Sequence, residues 1–362
     1  MRSLFVYEKD LVDPTPSIPS LEGKIIFVTG GTAGLGKATI LALLAHNPAH
    51  IYFSGRSRAS ADALIASIAA AADPHVQTST GPKPPPRPKA PLTFVQLDLA
   101  SLSSIKPALS AFTHDRLDVL VNNAGIMAGS ASLSKDGYEI QFATNHLGHA
   151  MLVRALLPVL QRTAALPGSD VRIVSLTSVG YQGHPRDGIS FATLNTAQAG
   201  PPIIGEWIRY GQSKLANMLF TAELARRYPS ITSVAIHPGV VDTGLVTDQS
   251  RLNRVFVYLP QKIMGAQVLT PAQGCWNQVW AAAAADKNEL VNGAFYMPVG
   301  NLANDKLDSH ATDDELAGEL WRWTDNVLAG FDRECHRASR ARVSISDEST
   351  AKDLYVAFGL YK

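Results

Sequence analysis

The chain has 362 residues, 46% hydrophobic and 17% charged, enough apolar material for a large core, and its length suits one large α/β domain or two small ones. Lysine plus arginine total 32 against 31 acidic residues, a net charge of +1 with no basic stripe or acidic tail, which excludes nucleic acid and anionic membranes as expected partners. The two cysteines, Cys275 and Cys335, form neither a disulfide framework nor a metal cluster and fit a reducing, cytoplasmic setting.

The first stretch, MRSLFVYEKDLVDPTPSIPS, lacks the apolar core and small-residue cleavage site of a signal peptide, and no apolar run approaches a membrane span. Residues 1–20 read as an arm laid over a domain that begins near Leu21. Apolar β-branched runs then predict seven strands at 24–30, 50–56, 92–99, 117–125, 171–178, 231–239 and 292–300. Helical patterns lie between them at 37–47, 61–72, 138–162, 210–227 and 271–285, and a tryptophan-containing helix covers 312–338. Strands with apolar interiors alternating with helices argue for a mostly parallel sheet covered on both faces, an α/β doubly wound arrangement. The Pro-rich segment 73–91 (GPKPPPRPKAP within it) must loop out, and 181–209 reads as a second insertion. The chain therefore reads as one domain over 21–338, with a tail at 339–362.

Three patterns carry chemistry. TGGTAGLG (29–36) follows the first strand and opens a helix, so Gly30, Gly34 and Gly36 allow a tight turn in which backbone N–H groups approach a pyrophosphate. In GEWIRYGQSKLAN (205–217), Tyr210 and Lys214 stand four apart, on one helix face. A free phenol titrates at about 10, and a cation one turn away favours the phenolate and lowers that value. At the end of the fifth strand, VRIVSLTSVG offers Ser175, Thr177 and Ser178 to stabilise charge on a reacting oxygen; alternation puts Ser175 and Thr177 on one face and Ser178 at the exit. Tyr181 has Pro185, not lysine, four residues on. His146 and His149 are three apart without a third ligand, so no metal is expected.

TGGTAGLG, NNAG (122–125), Tyr210 with Lys214, and HPG (237–239), in that order over residues 21–300, resemble the short-chain dehydrogenase/reductase family. SKLANMLFTAELARR followed by HPGVVDTGL is most similar to its retinol-dehydrogenase-like branch, whose members often carry an N-terminal membrane anchor that this chain lacks. The resemblance implies a Rossmann-type fold and Tyr210 as general acid in carbonyl reduction and general base in alcohol oxidation. Lys214 would tune Tyr210 and bind the nicotinamide ribose, and Ser178 is the serine that matches the family position. Asn145, on the helix in QFATNHLGHA, would hold through its backbone carbonyl a water that extends the proton path to Lys214. Cofactor contacts are implied for Gly30, Thr32, Gly34, Leu35 and Gly36, for Asp98 and Leu99 at the adenine, and for Asn122, Ala124 and Gly125. Pro238, Gly239, Val241 and Thr243 would wrap the nicotinamide amide; Thr243 also reads as the cap of a short helix.

The second strand ends SGRSR, with Gly55 where an NAD site carries an acid and Arg56 and Arg58 beside it, so the expected cofactor is NADP(H), with Arg56 ahead of Arg58. The segment after Thr243 stands where the family has its substrate lid, near 244–270. Its Phe256, Val257, Tyr258, Leu259, Ile263 and Met264, with Trp207 from the second insertion, predict a hydrophobic small-molecule carbonyl or alcohol, such as an aromatic or polyketide-derived one. Reduction of an activated C=C bond, a sugar-nucleotide epimerase and a non-catalytic nucleotide sensor or scaffold remain as alternatives. Family dimers pair through the helices near 138–162 and 210–227, which implies a homodimer unless the insertion blocks one surface.

Overall fold

The computed structural model describes residues 11–72, 92–244, 253 and 268–332. The insertion 73–91, the lid residues Phe256, Val257, Tyr258, Leu259, Ile263 and Met264, and the tail 339–362 lie outside the described residues. Two compact units are distinguished, Met1–Trp321 and Arg322–Lys362, so the boundary falls inside the predicted helix 312–338, whose described helical residues are 314–332. The site described below lies in the first unit.

All seven predicted strands form: β1 (Ile25–Val28), β2 (His50–Gly55), β3 (Leu92–Gln96), β4 (Val119–Asn122), β5 (Arg172–Leu176), β6 (Thr232–Ile236) and β7 (Phe295–Met297). They are parallel neighbours in the order β3-β2-β1-β4-β5-β6-β7. The sheet has eight strands rather than the seven expected, because β8 (Asn301–Leu302) pairs antiparallel with β7. Two exposed residues after a turn carry no periodicity, so β8 exists only through its pairing. β1, β4, β5 and β6 are buried along their whole length, as expected of central strands covered on both faces. The chain runs outward from β1 to β3 and returns to β4 beside β1. That reversal opens a crevice at the strand C-termini, the usual ligand position in such sheets.

Helices α1 (Gly34–Leu44), α2 (Arg58–Ala72) and α3 (Leu102–Ala108) follow β1, β2 and β3. The predicted helix at 138–162 is divided into α4 (Ile140–Phe142), a π turn at Ala143–Leu147 and α5 (Gly148–Ala164). α6 (Ile204–Arg227) begins six residues before the predicted 210, so Tyr210 lies inside a long helix and the second insertion ends near 203. Gly205 lowers the local helix propensity enough to hide that first turn. In the predicted helix 271–285, α7 (Pro271–Gly274) and α8 (Trp276–Val279) lead into a second π turn, Trp280–Ala284. Ile18, in the predicted arm, and Leu21, at the predicted domain start, are buried in the core cluster with Ile26, Leu43 and Val279.

Candidate active site

The glycine loop leaves β1 at Thr29 and enters α1, with no room for a side chain at Gly36. A Cβ on Gly36 would lie 2.3 Å from the Gly30 carbonyl oxygen, and Gly30 has a φ of 66°. The loop is bound to the end of β4 by two neighbours. The Asn123 side chain donates to the Thr29 carbonyl at 2.7 Å, while the Thr29 hydroxyl accepts from the backbone N–H of Asn123 and Ala124, both at 2.9 Å. Gly34 faces Thr243, and Leu35 packs with Val241 around Gly274. The two ends of the lid meet, because Val241 bridges to Leu269, against which Gly239 packs. The predicted phosphate loop, NNAG segment and post-β6 segment thus line one crevice. Asn122 is buried there, and its Oδ1 has no hydrogen-bond partner among the described residues, an unfilled acceptor that suits a polar ligand.

At the far end of the crevice Thr32 lies against Gly55, where a Cβ would come within 3.0 Å of its methyl group. Arg56 and Arg58 are both exposed, but their commitments differ. The Arg58 guanidinium lies 4.8 Å over the Phe94 ring and 3.9 Å from Asp62, whereas for Arg56 only the backbone carbonyl is engaged, by Gln96. Asp98 accepts from the Ala100 N–H and pairs with Lys135 at 3.3 Å. Leu99 is buried against Gly148, whose missing side chain admits the Leu99 carbonyl.

The reacting side chains meet above β5. Tyr210 and Lys214 are both buried on α6, with the ammonium 5.7 Å from the phenol ring centre. The Ser178 hydroxyl and the Tyr210 ring meet at Gly180, where a Cβ would lie 3.3 Å from Ser178 Oγ and 3.0 Å from the ring, and the hydroxyl accepts from the Gly180 N–H at 3.0 Å. Thr177 is spent elsewhere, donating to the Lys214 carbonyl at 2.8 Å, and Ser175 is buried within β5. Of the three candidate hydroxyls, Ser178 is therefore the one that lies beside the tyrosine. Lys214 donates to the Leu176 carbonyl, and Gly125 is the point where it approaches Asn145: a Cβ there would lie 3.2 Å from Asn145 Oδ1 and 3.6 Å from Lys214 Nζ. The Asn145 side chain accepts from Ile126 N–H and donates to the Ile126 carbonyl and to Ser213.

The sequence named His149 only with His146, as a pair lacking a third metal ligand. Its Nδ1 lies 2.9 Å from the Asn145 carbonyl and its Nε2 2.9 Å from the Thr29 hydroxyl. A carbonyl only accepts, so Nδ1 carries the proton; in the neutral ring Nε2 then accepts the Thr29 hydroxyl proton. Burial, with Lys214's charge adding to it, pushes His149 down to about 4, so the ring is neutral at physiological pH. The histidine thus joins the glycine loop to the π turn that carries Asn145, and it takes up one lone pair of the carbonyl expected to hold water. Asn123, passed over in the sequence, ties β4 to the same loop.

Burial dominates the titration of the site. It raises Tyr210 to about 12 against the smaller downward effect of Ser178, and lowers Lys214 to about 8. This departs from the expectation that Lys214 lowers the phenol. The lysine donates to Leu176 rather than to the phenol, and the desolvation of a buried phenolate outweighs a cation seen across the ring. Around Tyr210 the surface is apolar, formed by Met127, Ala128 and Trp207, the last edge-on at 5.8 Å. Trp207, expected in the second insertion, lies on the first turns of α6 rather than in a loop. Asn253, the one residue described between 245 and 267, donates to Glu206 next to that tryptophan.

The profile of the short chain dehydrogenase family matches residues 24–186. A short-chain dehydrogenase/reductase from Aspergillus calidoustus, drtF, is 36% identical over 326 residues, spanning 86% of this chain and 96% of its own. The chain belongs to the short-chain dehydrogenase/reductase family. Human retinol dehydrogenase 14 is 32% identical over 83% of this chain and 85% of its own, in keeping with the expected retinol-dehydrogenase-like branch. Among solved structures, an uncharacterised protein from Mycobacterium paratuberculosis superposes with a TM-score of 0.63 at 25% identity, covering 88% of this chain and 98% of that one. The family accounts for a nicotinamide-binding oxidoreductase, and no helix among the described residues is long and apolar enough to cross a membrane.

Proposed function

We propose that this enzyme is a cytoplasmic NADP(H)-dependent oxidoreductase of secondary metabolism that interconverts a carbonyl and an alcohol on an apolar small molecule. The observation that carries the reading is the meeting of Ser178 and Tyr210 at Gly180, with Lys214 and Asn145 converging behind them at Gly125. The nicotinamide, when bound, supplies or takes up the hydride. In reduction, Tyr210, neutral because it is buried, donates its proton to the carbonyl oxygen while Ser178 stabilises the charge growing there. In oxidation the flow reverses, and Tyr210 is the base. Lys214 favours the phenolate form, and Asn145 fixes the loop at Ile126 beside it.

NADP(H) is favoured over NAD(H) by Arg56, which stands after β2 with its guanidinium uncommitted to any described side chain and has no acid at Gly55 to compete with it. An apolar substrate, aromatic or polyketide-derived, is supported by Met127, Ala128 and Trp207 beside Tyr210, and by the retinol-acting name of one relative.

Turnover of apolar ketones and aldehydes with NADPH tests the reading. Tyr210→Phe is expected to lower kcat by about 10²- to 10⁴-fold with NADPH affinity retained. Full turnover in that variant overturns the mechanism. An alcohol product separates carbonyl reduction from reduction of an activated C=C bond. Arg56→Ala is expected to raise KM for NADPH about tenfold and leave NADH kinetics unchanged, the loss of one charge-assisted contact. Equal effects on both cofactors would remove the case for NADP(H).

A further inference from the structure

Beyond the turn that follows Ser178, three side chains with metal-binding atoms converge. His184 ends the 3₁₀ turn Val179–Gly183, and Asp308 and His310 follow the 3₁₀ turn Asn304–Lys306. One ligand atom from each lies within 4.8 Å of the others. All three are partly buried, and the His184 and His310 rings stand 4.6 Å apart, steeply inclined at 60°.

The protons settle what this cluster can hold. His184 Nδ1 lies 2.6 Å from the Pro185 carbonyl, which only accepts, so Nδ1 carries a proton. In the neutral ring the lone pair is then on Nε2, which faces Asp308 Oδ2 at 3.3 Å. A lone pair and a carboxylate facing each other repel unless a cation lies between them, either a proton on Nε2 or a metal ion. The separation is long for a charge-assisted N–H···O bond, which runs about 2.7–2.9 Å. That one edge is close to the roughly 3.4 Å between neighbouring ligand atoms of a tetrahedral site with bonds of about 2.0–2.2 Å, while the three ligand atoms as a set lie within 4.8 Å, so a bound ion would draw them closer together.

Both groups are also held from behind as metal ligands usually are: His184 by the Pro185 carbonyl, Asp308 by the Ala311 N–H on its Oδ1 and, through its backbone N–H, by the buried Tyr181 hydroxyl. Two imidazoles and one carboxylate suit zinc better than magnesium or calcium, which prefer all-oxygen sites.

We propose that His184, Asp308 and His310 form a zinc site that clips residues 308–310 onto the turn after Ser178. The expectation of no metal came from histidines close in the chain, whereas His184 and Asp308 are 124 residues apart. The site is not catalytic. Its target is the turn 179–184, on which α6 packs at Gly211 and which borders Tyr210 at Gly180, where a Cβ would lie 3.0 Å from the phenol ring. Holding His184 therefore holds the wall that presents Ser178 to Tyr210.

The test is calorimetric titration of the untagged full-length chain, stripped with chelator, with Zn²⁺ alone, and thermal melting with and without the ion. One zinc per chain and a higher Tm with zinc are expected, since a ion bound only by the folded state stabilises it. Mg²⁺ should give neither. His310→Gln and His184→Gln should each weaken zinc binding by more than about tenfold while His310→Gln melts like the parent in chelator. Failure to take up zinc, or uptake as tight in His310→Gln as in the parent, overturns the site.

Discussion

Tyr210 and Lys214 are shifted toward their neutral forms by the same burial, and this sets the pH dependence of the site. Tyr210, at about 12, keeps its proton well above neutrality, while Lys214, at about 8, loses its charge in the mildly alkaline range. Carbonyl reduction needs the proton on Tyr210 and the charge on Lys214. Its kcat/KM should be level through neutrality and fall as the pH rises through about 8. Alcohol oxidation needs the phenolate, which becomes more populated as the pH rises, so its optimum should lie above that of reduction. Steady-state profiles in both directions check this; coincident optima would show that another group controls the rate. At this scale the spacing of Tyr210 and Lys214 was legible in the chain, because four residues make one helical turn wherever the helix lies. The direction of the phenol's shift was not, because desolvation depends on what packs around α6.

At the scale of elements, α6 and the turn after β5 form the joint that the chemistry depends on. Gly211, next to Tyr210, lets the helix approach until a Cβ would lie 2.6 Å from the Gly183 carbonyl carbon and 2.7 Å from the His184 nitrogen. Backbone cannot move aside as a side-chain tip can. Gly211→Ala should therefore destabilise the protein by about 1–3 kcal/mol and lower kcat as well, by separating Ser178 from Tyr210. Urea unfolding and turnover measured together check it, and a variant with parental stability and rate would mean that the joint yields freely. The π turn at Ala143–Leu147 is a second such element. It is a wider turn in which Asn145 bonds Ile126 and Ser213 with its side chain and His149 with its carbonyl.

For the whole molecule, the resemblance implied pairing through the helices near 138–162 and 210–227. Much of the second is already covered by this chain. Phe220 stacks on Trp321 at 5.0 Å, the Arg227 guanidinium lies 4.7 Å over the same ring, and Arg226 pairs with Asp314. Between Tyr210 and Ala225 only Ala222 of α6 escapes full burial. Sedimentation velocity of the full-length chain is therefore expected to show a monomer. A stable dimer cross-linked through Phe220 or Arg227 would show that residues 314–321 leave this face in solution.

The sequence by itself determined the seven main strands and their alternation with helices, the glycine loop and the Tyr210–Lys214 couple, because each is written in neighbours or in a short period that repeats along the chain. The resemblance already pointed to Ser178, and the tertiary structure adds the reason: Ser178 meets Tyr210 at Gly180 while Thr177 donates to the Lys214 carbonyl, a division that depends on where α6 crosses the end of β5. Only the tertiary structure decided that His149 joins Thr29 to Asn145 and that His184 meets Asp308, contacts across 120 and 124 residues. The strand β8 and the cover over α6 belong with these. Each depends on which surfaces the parallel sheet brings together, and distance along the chain carries no record of that.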